Sequence, residues 1–200
     1  MSFEQGVAQN IWGDCRCCME GKWLIQFNSD IAKDSTETRI AFYANIGFFI
    51  EVVQMLEFNL RKLLCYELSV KEIESNNAFT RETVEKTCDR YETYYLKTYK
   101  DQWTLGKLKN EVSRATSIPP NVCDTLQELN DYRIQVVHKI FQNNVITGNL
   151  GDSEIVRSYV GTRLIPMTDK AVETNALIIK EITKYQVTLY GYKKQVGIAK

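Results

Sequence analysis

Residues 36–68 read TETRIAFYANIGFFIEVVQMLEFNLRKLLCYEL. Placed on a helix, Ile40, Ala44, Phe48, Val52, Met55, Leu56, Phe58, Leu60, Leu63 and Leu64 surround the axis instead of lining one side. A helix that is apolar all round must be covered from several directions, so this stretch predicts the central helix of an all-α bundle. Gly47 is its one candidate bend. The most apolar run, Ile40 to Ile50, is eleven residues long and is followed by Glu51. Spanning a bilayer takes roughly 18 to 20, so no membrane span is expected.

Further helices follow on the C-terminal side. One is expected from about Arg81 to Lys100, after the polar stretch Glu74 to Phe79. Leu105, Leu108, Val112 and Ala115 form an amphipathic stripe, with Thr104 as a candidate N-cap and Pro119-Pro120 as a stop. The next helix, from about Asn121 to Gln142, carries Val122, Leu126, Leu129, Val136, Val137 and Ile140 at helical spacing. With two prolines between them, these two helices form an antiparallel hairpin. Residues 143–167 contain a Gly148-Asn149 turn signal and a β-like run from Ile155 to Ile165, which reads as a loop or small β-hairpin inserted before the last helix. That helix is expected from about Asp169 to Tyr190, capped by Thr168 and stopped by Gly191. Residues 1–35 lack clean periodicity and read as an N-terminal extension.

The composition narrows the possible functions. Two hundred residues, 44% hydrophobic and 25% charged, describe one domain that buries about 70% of its unfolded surface. Lys plus Arg equals Asp plus Glu at 25 each, which argues against a long basic nucleic-acid groove. Six scattered cysteines do not make a disulfide framework, and with no signal-like N-terminus the expected compartment is the reducing cytoplasm. Cys15, Cys17 and Cys18 lack a partner histidine or a paired Cys-x2-Cys, so they read as free or redox thiols before they read as a zinc site. Arg90, Tyr91, Tyr94, Tyr95, Lys97, Tyr99, Lys100 and Trp103 interleave cations and rings. Such a set either stacks bases or forms the rim of an amphipathic face, and the second arrangement is the commoner.

The helix expected at 121–142 holds the residues that need explaining. With Leu126 at zero and about 100° per residue, its apolar side chains cluster within about 80° of zero and Arg133 falls near 340°, inside the stripe. Asn130 lies near 40° and His138 near 120° by the same rotation. An unpaired buried guanidinium costs several kcal/mol. The structural explanation is a buried carboxylate partner such as Glu57, with His138, the chain's one histidine, at the edge. The chemical explanation is a phosphate site, because a guanidinium binds two oxygens at once and an imidazole moves a proton near neutral pH.

The stretch Asn130-Asp131-Tyr132-Arg133-Ile134-Gln135-Val136-Val137-His138-Lys139-Ile140-Phe141 resembles the Arg-x4-6-His motif of the HEPN superfamily (higher eukaryotes and prokaryotes nucleotide-binding). Thr104-Leu105-Gly106-Lys107-Leu108 and the Glu57 helix are also similar to segments of that group, and together the likeness covers roughly 36–142. The resemblance implies an all-α, dimerising bundle. It further implies a metal-independent endoribonuclease of toxin or antiviral-defence type, with catalytic residues Arg133, His138 and Asn130. No metal or cofactor is expected. The partners implied are an RNA substrate, a second copy of the chain, and an antitoxin or companion defence protein. Cleaving RNA without a metal takes a base, an acid and a cation. One histidine per chain fills both proton roles only in a dimer that brings two copies of the helix together. The rival reading is a non-catalytic HEPN-like scaffold that binds a nucleotide or a protein. It is favoured by Ile134, which stands where the family pattern often has a polar residue.

Overall fold

The computed structural model describes residues 35–76, 79–98, 104–140 and 153–198. The expected N-terminal extension, Cys15, Cys17, Cys18, Tyr99, Lys100 and Trp103 lie outside them. All the described elements are helical. They are α1 (Ser35–Ser75), α2 (Arg81–Glu92), α3 (Leu105–Ala115), α4 (Pro120–Ile134), α5 (Ser153–Tyr159) and α6 (Ile165–Gln195). Wider π turns extend α2 through Thr93–Lys97 and α4 through Gln135–Lys139, and a third, Val160–Leu164, joins α5 to α6 without a break.

The all-α expectation holds, and α1 is its axis. Phe42, Phe49, Val53, Leu56, Leu60, Leu63 and Leu64 are almost fully buried along one broad face, and buried Cys65 and Ser69 add the opposite side only in the C-terminal half. Ile40, Tyr43 and Phe58 are exposed, so the expected all-round cover is not met along the N-terminal half. Residues Thr38–Ser75 also contain a stretch long and apolar enough to cross a membrane, with mean hydropathy 1.3. The run from Ile40 to Ile50 is only the most apolar part of it. A long helix that packs one broad apolar face in a bundle and leaves further apolar residues at its surface passes the same test.

Side-chain contacts fix the helix directions. Asn59 Nδ2 donates to Asn175 Oδ1 at 2.8 Å inside the core, and Tyr192 Oη donates to Glu74 at 2.7 Å, so α6 runs parallel to α1. Lys109 reaches Gln127 at 2.7 Å, and a Cβ on Gly106 would sit 3.2 Å from the Asn130 carboxamide. The α3–α4 hairpin is therefore antiparallel, as its Pro119-Pro120 turn predicts. The missing Cβ of Gly106 is what allows the helices to close there.

Two carboxylates of α1 hold the two ends of α3. Glu57 Oε1 accepts the Leu105 N–H at 2.8 Å, and Glu67 Oε1, in a residue 1% exposed, accepts the Ser117 N–H at 2.7 Å. Lys71 binds Glu67 at 2.8 Å and also donates to the Ala115 carbonyl at 2.9 Å. Orphan amide and carbonyl groups at the helix termini are thereby satisfied from a neighbouring helix.

The C-terminal region corrects the sequence reading. Residues 143–152 of the expected insertion lie outside the described residues, but 153–167 are helical and form no β-hairpin. Val156, Val160 and Leu164 are buried at i, i+4 and i+8. The β-branched content of this run suggested a strand, and Pro166 suggested a break. Pro166 instead occupies the first turn of α6, directly after the π turn, where its missing N–H is tolerated. Thr168 does not cap the last helix; it lies inside it, with its hydroxyl donating to the Leu164 carbonyl at 2.8 Å. Gly191 does not stop the helix either. The stop is Gly197, at φ 72°, with its N–H on the Lys194 carbonyl (3.1 Å) and that of Ile198 on Lys193 (2.8 Å).

Candidate functional site

Arg133 sits near the end of α4, where the N-terminus of α3 meets α1. Thr104 occupies the N-cap position of α3, but its hydroxyl makes no capping bond. The Glu57 carboxylate replaces it, a favourable charge at a helix N-terminus. The same oxygen that accepts the Leu105 N–H lies 3.7 Å from Arg133 Nε. The two side chains are 23% and 15% exposed, so the pair is partly desolvated without being sealed. Arg133 makes no hydrogen bond through its terminal nitrogens among the described residues. The Glu57 partner that the sequence suggested is the one observed.

Burial pushes the Glu57 carboxyl above its usual range, against the pull of Arg133, the Leu105 N–H and Arg61. A carboxyl raised in this way binds its proton more tightly in the folded chain than in the unfolded one. Its contribution to stability therefore rises as pH falls from neutral toward about 4.5 and levels off below that value. Glu57→Gln removes the dependence. Urea unfolding at neutral and mildly acid pH should show the wild type gaining on this variant at the lower pH; a difference that does not move with pH would contradict the account.

Asn130 is half-buried against Gly106, one turn before Arg133. His138 is exposed on the π turn and makes no hydrogen bond or ion pair among the described residues. The wheel drawn at 100° per residue fails beyond Ile134, because a π turn holds more residues per turn. Val136 and Ile140 remain buried. Val137, expected in the stripe, is 39% exposed, and Ile134 beside Arg133 is 37% exposed. The structure thus brings Arg133 and Asn130 to the α3–α4 junction and leaves His138 on the surface of the same helix.

A groove of about 960 Å³ opens along the other flank of α4, against α5 and the start of α6. Arg133, Asn130 and His138 do not line it. Its walls include Tyr132, Gln135, Lys139, Tyr159, Arg163 and Met167. Sequence reading missed it, since one wall belongs to the segment taken for a hairpin. The signal was the i, i+4, i+8 spacing of Val156, Val160 and Leu164.

The interleaved tyrosines resolve mainly as packing. Tyr95 is 3% exposed and donates to Glu111 at 2.9 Å, and Tyr91 stacks on it at 6.3 Å while donating to Glu72 at 2.9 Å. Arg90 binds Glu72 as well. Burial alone would raise the Glu72 carboxyl, but the bonds from Tyr91, Arg90 and Thr87 hold it below the usual range. Cys65 and Cys88 are buried free thiols, with burial pushing Cys65 up to about 12. No group of three His, Cys, Asp or Glu side chains converges as a metal site among the described residues. No protein-family model, curated protein or solved structure matches this chain.

Proposed function

We propose that the chain is a metal-independent endoribonuclease of toxin or antiviral-defence type, cleaving RNA as a two-fold dimer at Arg133 and His138 with Asn130 alongside. The observation that carries the reading is the state of Arg133: one edge is held by Glu57, and the terminal nitrogens are left without a partner among the described residues. A guanidinium fixed at one edge is preorganised to bind two phosphate oxygens with the other. In the proposed reaction the RNA 2′-oxygen attacks phosphorus and the bond to the 5′-oxygen breaks, leaving a 2′,3′-cyclic phosphate. The His138 imidazole of one protomer takes the 2′-hydroxyl proton. That of the other protomer, protonated, gives one to the 5′-oxygen, and Arg133 stabilises the charge on the phosphorane. The exposed Ile134 and Val137 support a dimer through this part of α4. The cytoplasm is the proposed compartment, with an antitoxin or companion defence protein as the regulating partner.

A second reading is favoured by the bond from Glu57 to Leu105 and by Ile134: a non-catalytic scaffold in which Arg133 only ties helices together, with a surface that binds a nucleotide or another protein. Arg133→Lys separates the two, because lysine keeps the charge and loses the fork. The nuclease reading expects cleavage in EDTA to fall at least tenfold while the melting temperature drops by only about 2–4 °C, equivalent to roughly 1 kcal/mol. If the wild type cuts no RNA and the variant melts far lower, the scaffold reading stands.

A further inference from the structure

We propose that the groove between α4 and the α5–α6 helix binds a small phosphorylated molecule, its dianion held by Lys139 and Arg163 and its organic body resting against Ile140 and Met167. The inference is independent of RNA cleavage, since none of the three residues assigned to that reaction lines the groove. Its volume, about 960 Å³, lies at the upper end of the roughly 300–1,000 Å³ typical of small-molecule sites. Two of the three π turns border it, Gln135–Lys139 on one wall and Val160–Leu164 on the other. Such turns are rare and are frequently found at functional sites. Each contributes one cation, Lys139 and Arg163.

Charge pairing indicates which groups remain available. Lys170 is bound to Glu128 at 2.6 Å, and Asp131 accepts the Gln127 amide at 2.8 Å. Lys139 and Arg163 have no ion pair or hydrogen bond among the described residues. Tyr132 Oη donates to Tyr159 Oη at 3.3 Å, which leaves the Tyr159 hydroxyl proton free to donate into the groove. A guanidinium fork, an ammonium and a phenol together offer more donors than a carboxylate needs, and they suit the several oxygens of a phosphate dianion. Glu128 and Asp131 line the same groove and would repel a long polyanion laid along it. The fitting ligand therefore carries its charge at one end and an apolar or aromatic body at the other.

The test is a titration of the full chain, labelled at its methionine methyls, with phenyl phosphate, inorganic phosphate and phenol, followed by NMR. Met167→Leu assigns the reporting resonance. The Met167 methyl should shift with phenyl phosphate while that of Met55 on α1 stays in place, and phenyl phosphate should bind at least tenfold more tightly than either of its parts. Arg163→Gln, an exposed position whose loss should leave the melting temperature unchanged, should weaken phenyl phosphate at least tenfold. The proposal is overturned if Met167 does not respond, if phenol binds as tightly as phenyl phosphate, or if Arg163→Gln leaves the affinity unchanged. Displacement of phenyl phosphate by a single-stranded RNA that binds more tightly would overturn it as well, in favour of a nucleic-acid track.

Discussion

Replacing His138 by alanine is expected to lower RNA cleavage by about 10²–10⁴-fold, the usual contribution of a positioned general acid or base. Stability should be unaffected. The imidazole is exposed, and no hydrogen bond or ion pair among the described residues would be lost with it. In the proposed dimer one substitution removes the base from one protomer and the acid from the other, so a mixed dimer with one altered chain should be impaired too. The wild-type rate should follow a bell-shaped pH profile, because one imidazole must be neutral while its mate is protonated. Cleavage that survives His138→Ala, or a rate that climbs steadily with pH, would remove the histidine pair from the mechanism.

The largest structural effect is expected at Leu60. It is fully buried in the part of α1 that also carries Leu56, Leu63 and Leu64, each likewise sealed from solvent. Helices cover this part of α1 on several sides, so the space left by Leu60→Ala has little room to collapse. A loss of about 3–5 kcal/mol follows, or roughly 6–20 °C in melting temperature for a chain of this size. The contrasting position is Leu177 on α6, which is 52% exposed. Leu177→Ala should stay within about 0.5 kcal/mol. Thermal unfolding of both variants checks the assignment of inside and outside, and a comparable loss at the two positions would contradict it.

Where local chemistry alone determined an element, the sequence was readable. The apolar run of α1 identified the central helix, though Ile40 and Phe58, read as covered, are exposed, and the stripe Leu105, Leu108, Val112 with its proline stop identified α3 and the turn after it. Arg133 was legible as a charge in an apolar stripe, and Glu57 as its partner, because both stand out among apolar neighbours on their own helices. The readings failed where geometry departed from 3.6 residues per turn. Val137 was assigned inward and lies outward because the helix widens just before it. The same widening before Pro166 lets a helix run where proline and β-branched residues argued for a turn and a strand. Gly191 reads as the stop, but the helix runs on to Gly197, whose positive φ is not visible in sequence. The capping of α3 by Glu57 and Glu67 joins residues 48 and 50 positions apart. No local pattern contains that information.

The same pair of carboxylates acts as a ruler. Glu57 and Glu67 stand ten residues apart on α1, about 15 Å at 1.5 Å per residue. α3, eleven residues and about 16 Å long, spans nearly the same length, with the second amide these carboxylates hold, that of Ser117, two residues past its end. One residue added to α3 would carry its far end about 1.5 Å onward and swing it by about 100°, drawing an amide away from whichever carboxylate lost its register. Insertions and deletions are thus excluded between Leu105 and Ser117. Over evolutionary time this chain can change the composition of α3, but not its length.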